Sequence, residues 1–177
     1  RDRYVTNSEG GKVRMPLNSR IEKRVWIKAS AEIVYRALTN AKDLTKWFCD
    51  RADIAPYLDG EFRAFWKSGK AGQEGRAVIT GIEPNSSLEM VWIDDGHETP
   101  AEGSRHTLNY TIKSKSGMTE VLMVDEDIIE LDEETYTFLD HGWNSVLLEL
   151  KDFCERKERL IKMKSETKSG LEDILPQ

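Results

Sequence analysis

His106 and Tyr110 stand four residues apart in a run that alternates apolar and polar side chains. In an extended chain, residues two and four apart share a face. An imidazole and a phenol on one face can give and take a proton at a bound molecule. The pair is also unspecific, because buried His and Tyr more often only satisfy hydrogen bonds. His141 precedes Gly142-Trp143, and His97 sits in a polar stretch and reads as solvated. Cys49 follows Trp47-Phe48 with no base beside it, so it reads as a buried thiol rather than a nucleophile. Residues 125–134 hold seven carboxylates. They lack the spacing and the glycine of a calcium loop, so they read as a solvated acidic face at a helix start or a docking surface for a basic partner. No residue is assigned a catalytic role, and neither a metal nor a cofactor is expected.

The aromatic residues carry the stronger signal. Trp47, Trp66, Trp92 and Trp143, with Phe48, Phe62 and Tyr110, recur on the apolar side of separate elements. Such residues either pack a core or line a pocket for a flat or greasy molecule. Gly142 inside a helical stretch costs roughly 1 kcal/mol against Ala, and its expected role is to make room beside Trp143.

These residues must be held by a definite series of elements. Alternation over 21–28 (Ile21, Val25 and Ile27 on one face) predicts a first strand. Ser30 can cap a helix carrying Ile33, Val34, Ala37 and Leu38, and Asn40 a second short one carrying Leu44, Trp47 and Phe48. Alternating strands follow over 60–66, 75–82, 87–93, 104–115 and 118–126. Pro84-Asn85 and Ser116-Gly117 supply turns, and residues 94–103 a loop. From 132 to 164, Leu139, Trp143, Val146, Leu147, Leu150, Phe153, Cys154, Leu160 and Ile161 fall mostly at steps of three and four, which predicts one long helix with a single apolar stripe. Residues 1–20 read as a flexible arm, 21–164 as the domain and 165–177 as a frayed tail.

Composition narrows the function. The chain has 177 residues and a net charge of -6, and the pI is about 5.2. An acidic domain is a poor binder of nucleic acid, which demands a basic face. Two cysteines in no CxxC pair argue against a disulfide scaffold or zinc knuckle and fit a reducing cytoplasm. No stretch is long and apolar enough to span a bilayer as a helix.

The run Ala31 to Asn40, followed by Leu44 and Lys46-Trp47-Phe48, resembles the opening helices of the SRPBCC superfamily. Gly60-Glu61-Phe62, Gly75 with Ile79, Ile82-Glu83-Pro84 and Gly142-Trp143 followed by Leu147 and Leu150 extend the likeness over about 21–155. It is nearest to the branch named for the activator of heat-shock protein 90 ATPase. The chain departs from that pattern in its first 20 residues, the loop 94–103 and the acidic run. The resemblance implies an α+β helix-grip fold: a curved antiparallel sheet, two short helices after its first strand, and a long C-terminal helix it wraps. Members bind lipids and hormones, cyclise polyketides or serve as co-chaperones. The expected function is binding of a hydrophobic or amphipathic small molecule or lipid between sheet and helix. Trp47, Phe62, Trp66, Trp92, His106, Tyr110, Trp143 and Leu147 are the expected ligand-binding residues, and Arg63, His106 or Tyr110 would orient a polar group. A chaperone-binding module and a cyclase- or hydrolase-like enzyme using His106 and Tyr110 are the alternatives.

Overall fold

The computed structural model describes residues 4–6, 12–14, 20–67, 72–93, 104–127 and 133–172. His97 and the loop 94–103 lie outside the described residues, as do positions 128–132 of the acidic run. Strands β1 (Tyr4–Thr6) and β2 (Lys12–Arg14) pair with each other within the first 20 residues. The main sheet has seven antiparallel strands: β3 (Arg20–Ile27), β4 (Arg51–Ile54), β5 (Glu61–Trp66), β6 (Gln73–Glu83), β7 (Ser87–Ile93), β8 (Ser104–Lys115) and β9 (Met118–Asp127). Their spatial order is β3-β9-β8-β7-β6-β5-β4. Strands β4 to β9 form a meander, and β3 closes onto β9, Ile21 facing Asp125 and Ile27 facing Thr119.

The chain therefore leaves β3 at one edge and must reach β4 at the other. Helices α1 (Ala31–Thr39) and α2 (Ala41–Leu44) make that crossing. Ser30 starts α1, its hydroxyl accepting from the Ile33 amide at 3.3 Å. Asn40 ends α1 in an extended conformation and starts α2, its side chain accepting from the Asp43 amide at 3.2 Å. One Asn thus sets the sharp break between the two helices. Gly60 permits the tight turn into β5, where a Cβ would lie 1.9 Å from the Ala55 carbonyl oxygen. The β8–β9 hairpin turns through Ser116 and Gly117, both at positive φ, the two-residue connection that suits twisted strands.

The third helix, α3 (Glu133–Glu172), has 40 residues and spans about 60 Å at 1.5 Å per residue. It runs past the expected end at residue 164, and Leu160 and Ile161, expected on its buried stripe, stand exposed beyond the edge of the sheet's core. Ser165 and Thr167 turn their hydroxyls back onto the Lys162 and Met163 carbonyls. Leu147, Leu150 and Cys154 are buried against the sheet and α1. Register shifts between Ile79 and Gly81 on β6, and between Trp92 and Ile93 on β7, bend the strands locally. Among the described residues, no helix is long and apolar enough to cross a membrane.

Candidate functional site

The inner face of β5 to β8 presents alternating residues to α3. Phe62 comes from β5, Trp92 from β7, and His106 and Tyr110 from β8, with Trp92 directly opposite His106 and Leu88 opposite Tyr110. Trp47 and Phe48 reach the same place from the turn after α2. Trp47 donates its indole N–H to the Ala37 carbonyl at 3.0 Å, which ties that turn to α1. Trp66 donates to the Phe48 carbonyl at 2.7 Å, which ties it to β5. The rings form a continuous file. Centroids are 5.3 Å apart for Trp47–Phe48 and for Phe48–Trp66, 6.3 Å for Phe48–Phe62, 5.6 Å for Phe62–Trp92 and 6.0 Å for Trp92–His106. Phe48–Trp66 and Phe62–Trp92 meet edge to face, an arrangement that stabilises beyond the area it buries. Gly75 makes the file compact, since a Cβ there would stand 2.6 Å from the Trp92 ring and 3.1 Å from the Trp66 ring.

The file ends at a buried carboxylate. Asp125, on β9, is only 5% exposed. Its Oδ1 lies 2.8 Å from His106 Nδ1, and its Oδ2 accepts from Trp143 Nε1 at 2.6 Å. Trp143 is thereby held from α3 to the sheet. With Asp125 ionised, this geometry places a proton on His106 Nδ1. Burial, and then the Asp125 charge, push the Tyr110 phenol far above its ordinary range, so it stays protonated and keeps an O–H to donate. The indole N–H of Trp92 is buried and has no acceptor among the described residues.

Two spaces meet along this file. An inner cavity of about 20 Å³ lies under Phe62, Trp92, Leu108 and Tyr110, closed by Leu38, Leu44, Trp47 and Phe48. An outer groove of about 660 Å³, open to solvent, runs between Trp47, Phe48 and Trp66 on one side and Phe138, Val146 and Glu149 of α3 on the other. Phe138 stands 76% exposed at its rim. Trp47 and Phe48 belong to both spaces.

The candidate residues thus fall into four places. Trp47, Phe62, Trp92 and Tyr110 line the inner cavity, and Trp66 faces the groove together with Trp47. His106 and Trp143 meet at Asp125. Leu147 is buried in the core on the stripe of α3. Arg63 corrects the expectation placed on it. Strand alternation turns it to the face opposite Phe62, where its guanidinium pairs with Glu61 at 2.8 Å, so it cannot orient a ligand inside. At Gly142 a Cβ would meet nothing within 4 Å among the described residues outside its two chain neighbours, so no other element approaches the helix there. The acidic run is a second correction. Asp125 is no solvated carboxylate but the buried acceptor of the site, and Glu126 pairs with Arg20 at 3.1 Å. The available signal was strand parity, since Asp125 follows Val121 and Met123 on the same face. Cys154 is buried and its thiol is pushed up to about 12 by desolvation, and burial raises that of Cys49 as well, so neither is a poised nucleophile.

The comparisons with known proteins agree with this geometry. A family model described as activator of Hsp90 ATPase homolog 1-like protein matches residues 28–155. No curated protein matches the sequence. Among solved structures, protein MLL2253 from Mesorhizobium loti is similar with a TM-score of 0.65 and 21% identity, covering 77% of this chain and 97% of that one. The Aha1 dimer from Colwellia psychrerythraea is similar with a TM-score of 0.64 and 22% identity, over 77% and 96% of the two chains. CalU16 from Micromonospora echinospora superposes with a TM-score of 0.58 and 17% identity over 91% and 88%. At such identities these structures speak for the fold alone.

Proposed function

The chain belongs to the activator of Hsp90 ATPase homolog 1-like family, of SRPBCC-type fold, and from that premise we propose that it binds a largely apolar, amphipathic small molecule between sheet and α3. The observation that carries the reading is the shared wall of Trp47 and Phe48, which is all that the outer groove and the inner cavity have in common. The groove, at about 660 Å³, has the size of small-molecule sites. The inner cavity, at about 20 Å³, admits no more than a water-sized group as it stands. A ligand therefore lies mainly in the groove and sends one end inward as the turn carrying Trp47 and Phe48 gives way. Native mass spectrometry of the purified protein, before and after incubation with a lipid extract and a metabolite library, tests this. A stoichiometric adduct, lost in Trp47→Ala, is expected. An unchanged apo mass throughout would sink the reading.

A second reading rests on a different observation. Beyond Glu158, whose carboxylate accepts from the Ser30 amide at 3.2 Å, α3 carries Leu160, Ile161 and Met163 exposed to solvent. These suit a protein partner, and the name of the family points to a chaperone. Loss of chaperone pull-down in a Leu160→Ser, Met163→Ser variant, with small-molecule binding intact, would support it. Retained pull-down would count against it.

A further inference from the structure

The inner cavity has a chemical preference of its own. A buried N–H without an acceptor costs roughly 1–3 kcal/mol, and native proteins seldom leave one so. Trp92 has such an N–H, and the cavity is the vacant space its side chain lines. Tyr110 lines the same space with its phenol protonated. Trp47 also lines it, but its N–H is spent on the Ala37 carbonyl. The rest of the wall, such as Leu38, Phe62, Met90 and Leu108, is hydrocarbon and ring carbon. Two donor-bearing side chains thus border a volume of about 20 Å³, and no Lys or Arg lines it among the described residues. A carbonyl oxygen, with two lone pairs, matches two donors. A carboxylate does not fit, because its charge would be buried without a counter-ion and with Asp125 behind Tyr110.

We infer that the inner cavity recognises an uncharged carbonyl group, such as that of a ketone, ester or amide, at the inner end of the ligand, through the Trp92 indole N–H and the Tyr110 hydroxyl. The inference rests on the small-molecule reading above and names the head group that site selects.

The test uses the full chain and three probes of equal carbon number: 2-decanone, decanoate and decane. Affinities are measured while the indole ¹H–¹⁵N resonances are followed, that of Trp92 being assigned by its absence in Trp92→Phe. The ketone should bind about five- to ten-fold more tightly than either of the others, the worth of one or two neutral hydrogen bonds. It should also shift the Trp92 resonance. Tyr110→Phe, which removes a single oxygen, should weaken 2-decanone about five-fold and leave decane unchanged. Ketone binding that moves the Trp47 and Trp66 resonances but not that of Trp92 would overturn the inference while leaving the groove as a binding site. Preference for decanoate would overturn it too, as would equal binding of ketone and decane. Failure of all three probes to bind would remove the small-molecule reading as well.

Discussion

Asp125 gives up its hydration inside the domain and recovers it from two N–H donors, those of His106 and Trp143. Removing the carboxylate leaves both donors facing a hole. Asp125→Ala should therefore destabilise the fold by roughly 2–4 kcal/mol in urea denaturation, the cost of two partly buried polar groups left unpaired. Asp125→Asn should cost far less, about 1 kcal/mol or under, because the amide oxygen can still accept from Trp143. The amide NH₂ then faces His106 Nδ1, which turns acceptor if the ring proton moves to Nε2. The ¹⁵N shifts of the imidazole report that tautomer directly. Equal loss in the two variants would mean that charge, rather than hydrogen bonding, holds the cluster. At this scale the aromatic file was legible, since each Trp and Phe sits on the apolar parity of its own element. Asp125 was not. Its run of acidic neighbours looks solvated, and only the parity of Val121 and Met123 separates it from Glu126 and Asp127.

At the scale of elements, the strands that bury one face could be traced by alternation, and β4 could not. It has four residues, Arg51–Ile54, of which only Ala52 is buried, while Arg51 stacks over Phe65 at 3.7 Å on the outer side. A short edge strand with exposed charges leaves no period to detect. Helix α3 was legible in its first two-thirds, where Leu147, Leu150 and Cys154 face the core. In its later turns Leu160 and Ile161 look like a continuing stripe yet stand exposed, and pairs such as Lys162–Glu158 at 3.1 Å brace the helix there. Gly142 lies in the legible part, and a Cβ there would meet nothing within 4 Å among the described residues outside its two chain neighbours. Gly142→Ala should raise stability by about 1 kcal/mol, through helix propensity alone, in thermal or urea unfolding. A loss instead of a gain would show that something approaches that face of α3 in solution.

The whole molecule closes where α3 crosses the link between β3 and α1. The order of elements predicted this packing, because a strand run followed by one amphipathic helix has few ways to bury both faces. The size of the inner cavity was beyond the reach of pattern, as it depends on how Trp47, Phe48 and Trp92 interlock. The closure itself is polar. Glu155 accepts from the Lys28 amide at 2.9 Å and from Lys151 Nζ at 2.9 Å, Lys151 also reaches the Trp26 carbonyl, and Lys157 pairs with Asp43 of α2. The Lys28 amide first, with Lys151 adding to it against the opposing cost of burial, holds the Glu155 carboxyl below its ordinary range. A carboxyl whose folded value is depressed binds its proton more readily in the unfolded chain. It therefore stabilises the fold above the unfolded value of about pH 4.3, and that contribution is lost as pH falls through the lower folded value. Glu155→Gln keeps an oxygen for the Lys28 amide but loses the charge. Its stability should lie below that of the parent at pH 7, and the gap should close as both are titrated from about pH 5 towards pH 3. Parallel curves across that window would assign the acid sensitivity of the fold to other carboxylates and leave Glu155 a neutral acceptor only.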